Sequence, residues 1–102
     1  MPQADQASWT SERERSRHFR KHGPLLGQVT EDDYDASARA TIRVGQRFTY
    51  DDAGTGRRRV GYYHARTERF TAVNERETRL LTHYRCPERY VRMLPSSEYR
   101  RR

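Results

Sequence analysis

The sequence predicts an α+β fold, with two N-terminal helices packed on one face of an antiparallel sheet of four or five strands. Three observations predict it. Ser11 and Thr30 each precede a stretch with carboxylates in its first turn, and the stretch after Thr30 has apolar residues at helical spacing. From Gln46 onward the apolar pattern changes to a period of two. Short polar loops separate the alternating stretches, as is typical of hairpins.

The first helix is expected from about residue 12 to residue 22. Ser11 and Glu14 form a capping-box signature, in which the hydroxyl accepts the amide of Glu14 and the carboxylate turns back to the amide of Ser11. Gly23 is expected to adopt the left-handed conformation that ends a helix. Phe19 is the main apolar residue, so this helix either presents its polar face for a function or coats the surface.

The second helix is expected to begin after Thr30 and to end near Gly45. Tyr34, Ala38 and Ile42 recur at four-residue intervals, which places them on one face of that helix. This face is expected to pack against the sheet, and the helix is interpreted as structural.

Four strands follow in the predicted meander, and a fifth segment is ambiguous. The strands are expected at 47–50, 59–65, 69–73 and 78–85, with 88–94 either a fifth strand or a helical turn. The alternation does not show which of Tyr62 and Tyr63 faces the core. The alternation also does not show whether Thr82 or His83 faces the core. The face without helices is expected to be open, curved and basic.

Composition predicts one small domain with a polyanionic partner. The chain has 102 residues, a net charge of +7 and a pI of about 10.2, which favours nucleic acid ahead of an acidic protein. No apolar run is long enough to span a bilayer, so a membrane partner is not expected. The predicted organisation is a flexible tail over 1–10, a single domain over 11–99 and a basic tail over 100–102.

The cysteine count and the N-terminal sequence indicate a cytoplasmic site of action. Cys86 is alone, so the fold does not depend on a disulfide. The N-terminus lacks the apolar region of a secretory signal peptide. Any export would therefore use a route other than Sec.

The run from His18 to Gly23 carries the strongest functional signal. At about 100° per residue, His18, Lys21 and His22 fall on one narrow arc of the first helix. Lys21 is the only lysine among the 21 basic residues. Two imidazoles and an ammonium group on one arc can exchange protons and hold a phosphate. The pattern therefore predicts a phosphate-handling catalytic cluster.

Four segments together resemble a known family. They are His18-x-x-Lys21-His22-Gly23, the helix that carries Tyr34, the run from Tyr63 to Phe70, and Leu80-x-Thr82-x-Tyr84. This combination resembles small bacterial ribonuclease toxins of the barnase–EndoU–colicin–RelE type, over roughly residues 17–99. The resemblance implies helices before a four-stranded antiparallel sheet and RNA cleavage without a metal or another cofactor. It also implies a growth-inhibiting toxin with an acidic immunity or antitoxin protein as its partner.

The resemblance also implies roles for individual residues. His18 would transfer protons, Lys21 would lie near the scissile phosphate, and Thr82 would donate a hydrogen bond to a phosphate oxygen. Arg66 would add positive charge and Tyr84 would contact or stack on a base.

The residues themselves suggest three further substrate contacts. His22 belongs to the helical cluster, and Arg59 ends a run of three arginines that could track phosphates. Tyr63 is a candidate stacking platform, although either it or Tyr62 is expected in the core.

These residue types suit cleavage of RNA by its own 2′-hydroxyl. The 2′-OH attacks the adjacent phosphorus and yields a 2′,3′-cyclic phosphate and a 5′-OH end. A base removes the 2′ proton and an acid protonates the leaving oxygen, and histidine titrates in the right range for both. Cations and donors stabilise the charge that develops on phosphorus. The expected substrate is RNA, with tRNA one candidate.

Several alternatives stay open at this stage. Histidines and the cysteine could gather a zinc ion, but no CxxC or HExxH spacing is present and no metal site is expected. The candidates for that set are His18, His22, His64, His83 and Cys86. A non-catalytic RNA- or DNA-binding module with a basic, tyrosine-bearing sheet face is the main rival to the nuclease. An inert basic protein that binds a protein partner is the third hypothesis.

Overall fold

The computed structural model describes residues 3–101 and has the predicted α+β architecture. Three helices accompany a five-stranded sheet, and residues 4–6 and 24–26 form short 3-10 turns. The elements in chain order are β1 Ser8–Trp9, α1 Glu12–His22, α2 Glu31–Val44, β2 Gln46–Asp51, β3 Arg58–His64, β4 Arg69–Asn74, β5 Arg79–Arg85 and α3 Glu88–Met93. Residues 1–2 of the expected N-terminal tail and residue 102 of the expected basic tail lie outside the described residues.

The sheet is a meander with one added strand. Its order is β1-β5-β4-β3-β2, in which β2 to β5 pair antiparallel and β1 pairs parallel to β5. The predicted meander is confirmed to within about one residue at the strand ends. The fifth strand comes from residues 8–9 and not from 88–94, where α3 forms instead.

The first helix begins as predicted, but its C-terminal cap differs from the prediction. The Ser11 hydroxyl accepts the Glu14 amide at 3.1 Å. The Glu14 carboxylate does not complete a capping box, because its hydrogen bonds come from Arg17. Gly23 is right-handed (φ −55°), so the left-handed prediction is wrong, and the chain continues into the 3-10 turn before Gly27 takes φ 70°. A side chain at Gly23 would meet the carbonyl and ring of Phe19 within 3 Å.

The second helix packs on one face of the sheet, as predicted. The Thr30 hydroxyl accepts the Asp33 amide at 3.1 Å and caps the helix. Tyr34, Ala38 and Ile42 are all buried. They join the first apolar core with Trp9, Leu26, Val60, Tyr62, Val73 and Leu80, against which Phe19 packs. The expected core face of this helix is confirmed.

The other face of the sheet is more covered than the sequence indicated. Phe48, Phe70, Val91 and Tyr99 are buried in a second apolar core beneath α3 and the C-terminal segment. A side chain at Gly61 would meet the rings of Phe48 and Phe70 within 3 Å, so glycine permits this packing. The prediction of an open face therefore holds only where α3 leaves the strands uncovered.

The expected flexible N-terminal tail is wrong for residues 3–9. Ala4, Ala7 and Trp9 are buried, and the Trp9 indole donates to Asp35 at 2.7 Å. Arg39 donates to the carbonyls of residues 5 and 7. Burial of apolar surface and satisfied backbone groups hold this segment in place. The domain therefore extends at its N-terminus beyond the predicted boundary at residue 11.

The C-terminal segment protects the opposite edge of the sheet. The Asp51 amide donates to the carbonyl of Pro95 at 2.8 Å, and the Glu98 amide donates to that of Thr49 at 2.9 Å. These bonds pair the outer edge of β2. Arg100 and Arg101 beyond them are exposed, as expected for a basic tail. Within the described residues no helix is long and apolar enough to cross a membrane.

A bulge in β5 determines which of its side chains point to each face of the sheet. Val73 pairs with Leu80, whereas Ala72 pairs with Thr82, so an extra residue, Leu81, interrupts the alternation. Leu80 joins the helix-covered core, yet Thr82 points to the opposite face. His83 then points back to the helix side.

Candidate functional site

A cavity of about 810 Å³ lies where α1, β5 and α3 meet. Six of the eight predicted site residues line it: His18, Lys21, His22, Arg59, Thr82 and Tyr84. They come from a helix, a central strand and the strand next to α1. The predicted convergence of the His18 helix with a late strand is therefore present in one concave site.

The imidazole of His18 lies at the centre of the cluster. Its Nδ1 atom is 3.2 Å from the hydroxyl oxygen of Thr82. Its ring stacks between Trp9 and His22, with centroid distances of 6.0 Å and 5.8 Å. Thr82 is 9% exposed, but its hydroxyl faces His18 and the cavity lining rather than an apolar core. Contacts on three sides fix the His18 ring.

Glu14 is a site residue that the sequence analysis assigned only to capping. Its carboxylate Oε2 is 3.6 Å from Nε2 of His18 and accepts hydrogen bonds from Arg17. The Arg17 contact lowers the pKa of Glu14, which is therefore ionised near neutral pH. The signal was the four-residue spacing of Glu14 and His18, which places both on one helix face.

Burial keeps both cavity histidines neutral at neutral pH. Desolvation, with a further contribution from Arg17, lowers the pKa of His18. Desolvation and the nearby His18 and Lys21 lower the pKa of His22 to about 4. Neutral imidazoles accept protons, and a bound phosphate would raise both pKa values again because its negative charge favours imidazolium.

Of the described residues, four cationic side chains line the cavity: Arg17, Lys21, Arg59 and Arg85. Lys21 is exposed. Arg59 is half-buried and makes an ion pair with Asp52 at 3.3 Å. Both can approach an anion that enters the cavity, and Arg59 does so from the neighbouring part of the sheet.

An aromatic wall closes the cavity on the α3 side. The rings of His22 and Tyr84 are 5.0 Å apart, and Tyr84 contacts Tyr90 edge-on at 5.9 Å. Burial raises the pKa of Tyr84 far above its usual value, so its hydroxyl stays protonated and donates to Tyr90. Tyr90 was not predicted as a site residue, since the secondary structure of its segment was ambiguous.

Two predicted substrate contacts are not part of this site. Tyr63 is 2% exposed, and its hydroxyl donates to the carbonyl of Cys86 at 2.8 Å, so the stacking assignment is wrong. Its strand turns it into the second apolar core. Arg66 lies in the exposed turn between β3 and β4 and does not line the cavity. The resemblance assigned Arg66 to the site from its position in the sequence, but the turn places its side chain in solvent.

His83 forms a separate, closed polar cluster on the helix side of the sheet. Its Nδ1 lies 3.0 Å from the carbonyl of Phe70 and 2.8 Å from the hydroxyl of Thr71. Its Nε2 lies 2.9 Å from the hydroxyl of Ser37, which also accepts from Arg69. Because a carbonyl only accepts, we assign the proton to Nδ1 and the acceptor role to Nε2. Burial lowers the pKa of His83 to about 4.

The remaining candidate metal ligands are dispersed. Among the described residues no three His, Cys, Asp or Glu side chains form a group that could hold a metal ion. The Cys86 thiol is buried, and desolvation raises its pKa to about 12, so it stays protonated.

Comparison of the chain with protein-family models, curated proteins and solved structures found no match. The resemblance to ribonuclease toxins therefore stays a prediction.

Proposed function

We propose that the protein is a metal-independent endoribonuclease. The observation that carries the proposal is the convergence of His18, Lys21 and Thr82 in one cavity. This is the constellation that transesterification of RNA needs: a group that moves protons, a cation and a hydroxyl donor for the phosphate.

The chemistry follows from these residues. The ribose 2′-hydroxyl attacks the adjacent phosphorus, and a neutral imidazole takes its proton. The bond from phosphorus to the 5′-oxygen breaks, and an imidazolium protonates that oxygen. The ammonium of Lys21, the guanidinium of Arg59 and the hydroxyl of Thr82 stabilise the charge on the phosphorane oxygens.

The two histidines differ in a way that suggests their roles. His22 has the pKa of about 4 and no carboxylate partner in the described structure, so it suits the base. His18 has Glu14 at 3.6 Å, which favours its imidazolium once a phosphate is bound, so it suits the acid. A bell-shaped pH dependence is the expected signature, with the alkaline limb belonging to His18.

The cavity favours an enzyme over the rival binding module. A module that binds through an open face would spread arginine and tyrosine over it. Tyr50 and Tyr63, which point to that face, are instead buried beneath other groups. His18, Lys21 and Thr82 instead line one concave cavity.

The test is cleavage of total RNA by purified protein in EDTA. We expect products with 2′,3′-cyclic phosphate and 5′-OH ends, and no cleavage of DNA of the same sequence. His18→Ala should slow cleavage by about 10²- to 10⁴-fold. His64→Ala is the matched control, since within the described residues the His64 ring hydrogen-bonds only Thr67 of the adjoining turn and does not line the cavity.

Two outcomes would contradict the proposal. Loss of cleavage in EDTA would contradict the metal-independent mechanism. Equal cleavage by the wild type and by His18→Ala, with circular dichroism unchanged, would remove His18 from it.

The cellular role proposed with this chemistry is growth inhibition. Cleavage of tRNA or another cytoplasmic RNA would stop growth on induction of the wild type and not of His18→Ala. The rim of the cavity also carries Arg17 and Arg85, so an acidic immunity or antitoxin protein fits it by charge.

A further inference from the structure

A second cavity of about 840 Å³ lies beside the first. It is bounded by the β2–β3 hairpin and the β4–β5 turn. Arg59 and the bulge residue Leu81 line both cavities, so the two form a continuous depression across the sheet. We call the second cavity the arginine groove, after Arg57, Arg59 and Arg76 in its lining.

The arginines of this groove differ in how their charge is used. Arg58 is held by Asp51 and Glu98 and serves the fold. Within the described residues, Arg57 and Arg76 make no ion pair with a carboxylate. Their charges are therefore available to a polyanion, although Glu75 also lines the groove.

Hydrogen bonds fix the two turns that carry these arginines. The Asp52 carboxylate accepts from the amide and the hydroxyl of Thr55, both at 2.9 Å. The Asn74 side-chain oxygen accepts from the amides of Thr78 and Arg79. Fixed turns present Arg57 and Arg76 with little loss of backbone entropy on binding.

We propose that the arginine groove binds the phosphates of single-stranded RNA that continues from the linkage in the His18 cavity. The inference rests on the proposed function for the place of cleavage. A basic depression that follows the backbone, with aromatic rings at its far end in Tyr84 and Tyr90, is typical of single-strand binding. The substrate is therefore a single-stranded segment longer than a dinucleotide.

The experiment measures binding of oligodeoxythymidylates, which lack the 2′-hydroxyl and so cannot be cleaved by this chemistry. Fluorescence anisotropy with chains of two and eight nucleotides gives the affinity and its salt dependence. We expect Arg57→Ala/Arg76→Ala to weaken binding of the eight-nucleotide probe on the order of tenfold at 0.1 M salt. The salt slope should fall by about 1.4, and the two-nucleotide probe should be little affected.

The matched control removes the same charge elsewhere. Arg13 and Arg20 are exposed, line neither cavity and make no ion pair with a carboxylate within the described residues, so Arg13→Ala/Arg20→Ala should change affinity by less than about twofold. An equal loss of affinity in this control would contradict RNA binding by the arginine groove, and so would equal affinity of the wild type for both probe lengths. Either result leaves the nuclease proposal intact. Length-dependent binding through Arg57 and Arg76 without any RNA cleavage supports the groove and overturns the nuclease.

Discussion

Two histidine–threonine pairs occupy opposite faces of the sheet at adjacent positions of β5. Thr82 contacts His18 of α1, and His83 contacts Thr71 of β4. The His83 pair is 0% exposed, whereas the His18 pair opens into the 810 Å³ cavity. Residue type alone therefore does not separate a reactive histidine from a structural one. The access of its ring nitrogens does.

The hydrogen bonds show why only one of these clusters suits proton transfer. Both nitrogens of His83 have partners within 3.0 Å on the backbone, on Ser37 and on Thr71. Nε2 of His18 has only longer contacts, 3.5 Å to Arg17 and 3.6 Å to Glu14. A ring with fully used nitrogens and no access to solvent holds the structure together.

The largest expected effect within this comparison is on stability. His83→Ala removes a fully buried ring and its hydrogen bonds to Phe70 and Ser37, so we expect the free energy of unfolding to fall by about 3 kcal/mol. His18→Ala should change it by less than about 1 kcal/mol, since that ring borders the cavity. Urea unfolding followed by circular dichroism measures both. An equal fall in the free energy of unfolding of the two variants would contradict a structural role confined to His83.

The next effect is a loss of stability in acid. The pKa of His83 is lowered to about 4, so the unfolded chain binds a proton there between pH 6.5 and pH 4 that the folded chain does not. Stability from this group is complete above pH 6.5 and is lost as the pH falls towards 4. Between pH 7 and pH 4.5 we expect a loss of about 2 kcal/mol from His83.

His83→Gln isolates that contribution, because glutamine keeps a donor and an acceptor but does not titrate. The variant should lose less stability than the wild type over the same pH range. NMR titration gives an independent check, in which the ring of His83 should not titrate above pH 5. A midpoint near 6.5 would contradict the closed character of this cluster.

The first two helices and their N-terminal cap residues were predictable because their signals are local. Ser11 and Thr30 cap within three residues, and the helical spacing of Tyr34 and Ile42 marks a face without reference to any other element. The grouping of His18, Lys21 and His22 follows in the same way from a helical arc. These features need only the geometry of one helix.

The sheet side of the site was harder to predict because it depends on contacts between strands. Strict alternation would place Leu80 and Thr82 on one face, but the bulge at Leu81 separates them. The bulge exists only in the pairing of β5 with β4, so a single-strand pattern does not contain it. The burial of Trp9 likewise depends on pairing with β5 and on a hydrogen bond to Asp35.

The smallest expected effects compare the two threonines, since each change removes one hydroxyl. Thr71→Val removes the donor to the Ala38 carbonyl, 3.1 Å away, and should lower the free energy of unfolding by about 1 kcal/mol without a specific loss of activity. Thr82→Val removes the hydroxyl that contacts His18 and should lower RNA cleavage about tenfold, or 1.4 kcal/mol, with stability nearly unchanged. Single-turnover cleavage and urea unfolding of both variants separate the effects. If both variants lost unfolding free energy and neither lost cleavage activity specifically, the bulge would contribute to packing alone. It would then have no part in presenting Thr82 to the cavity.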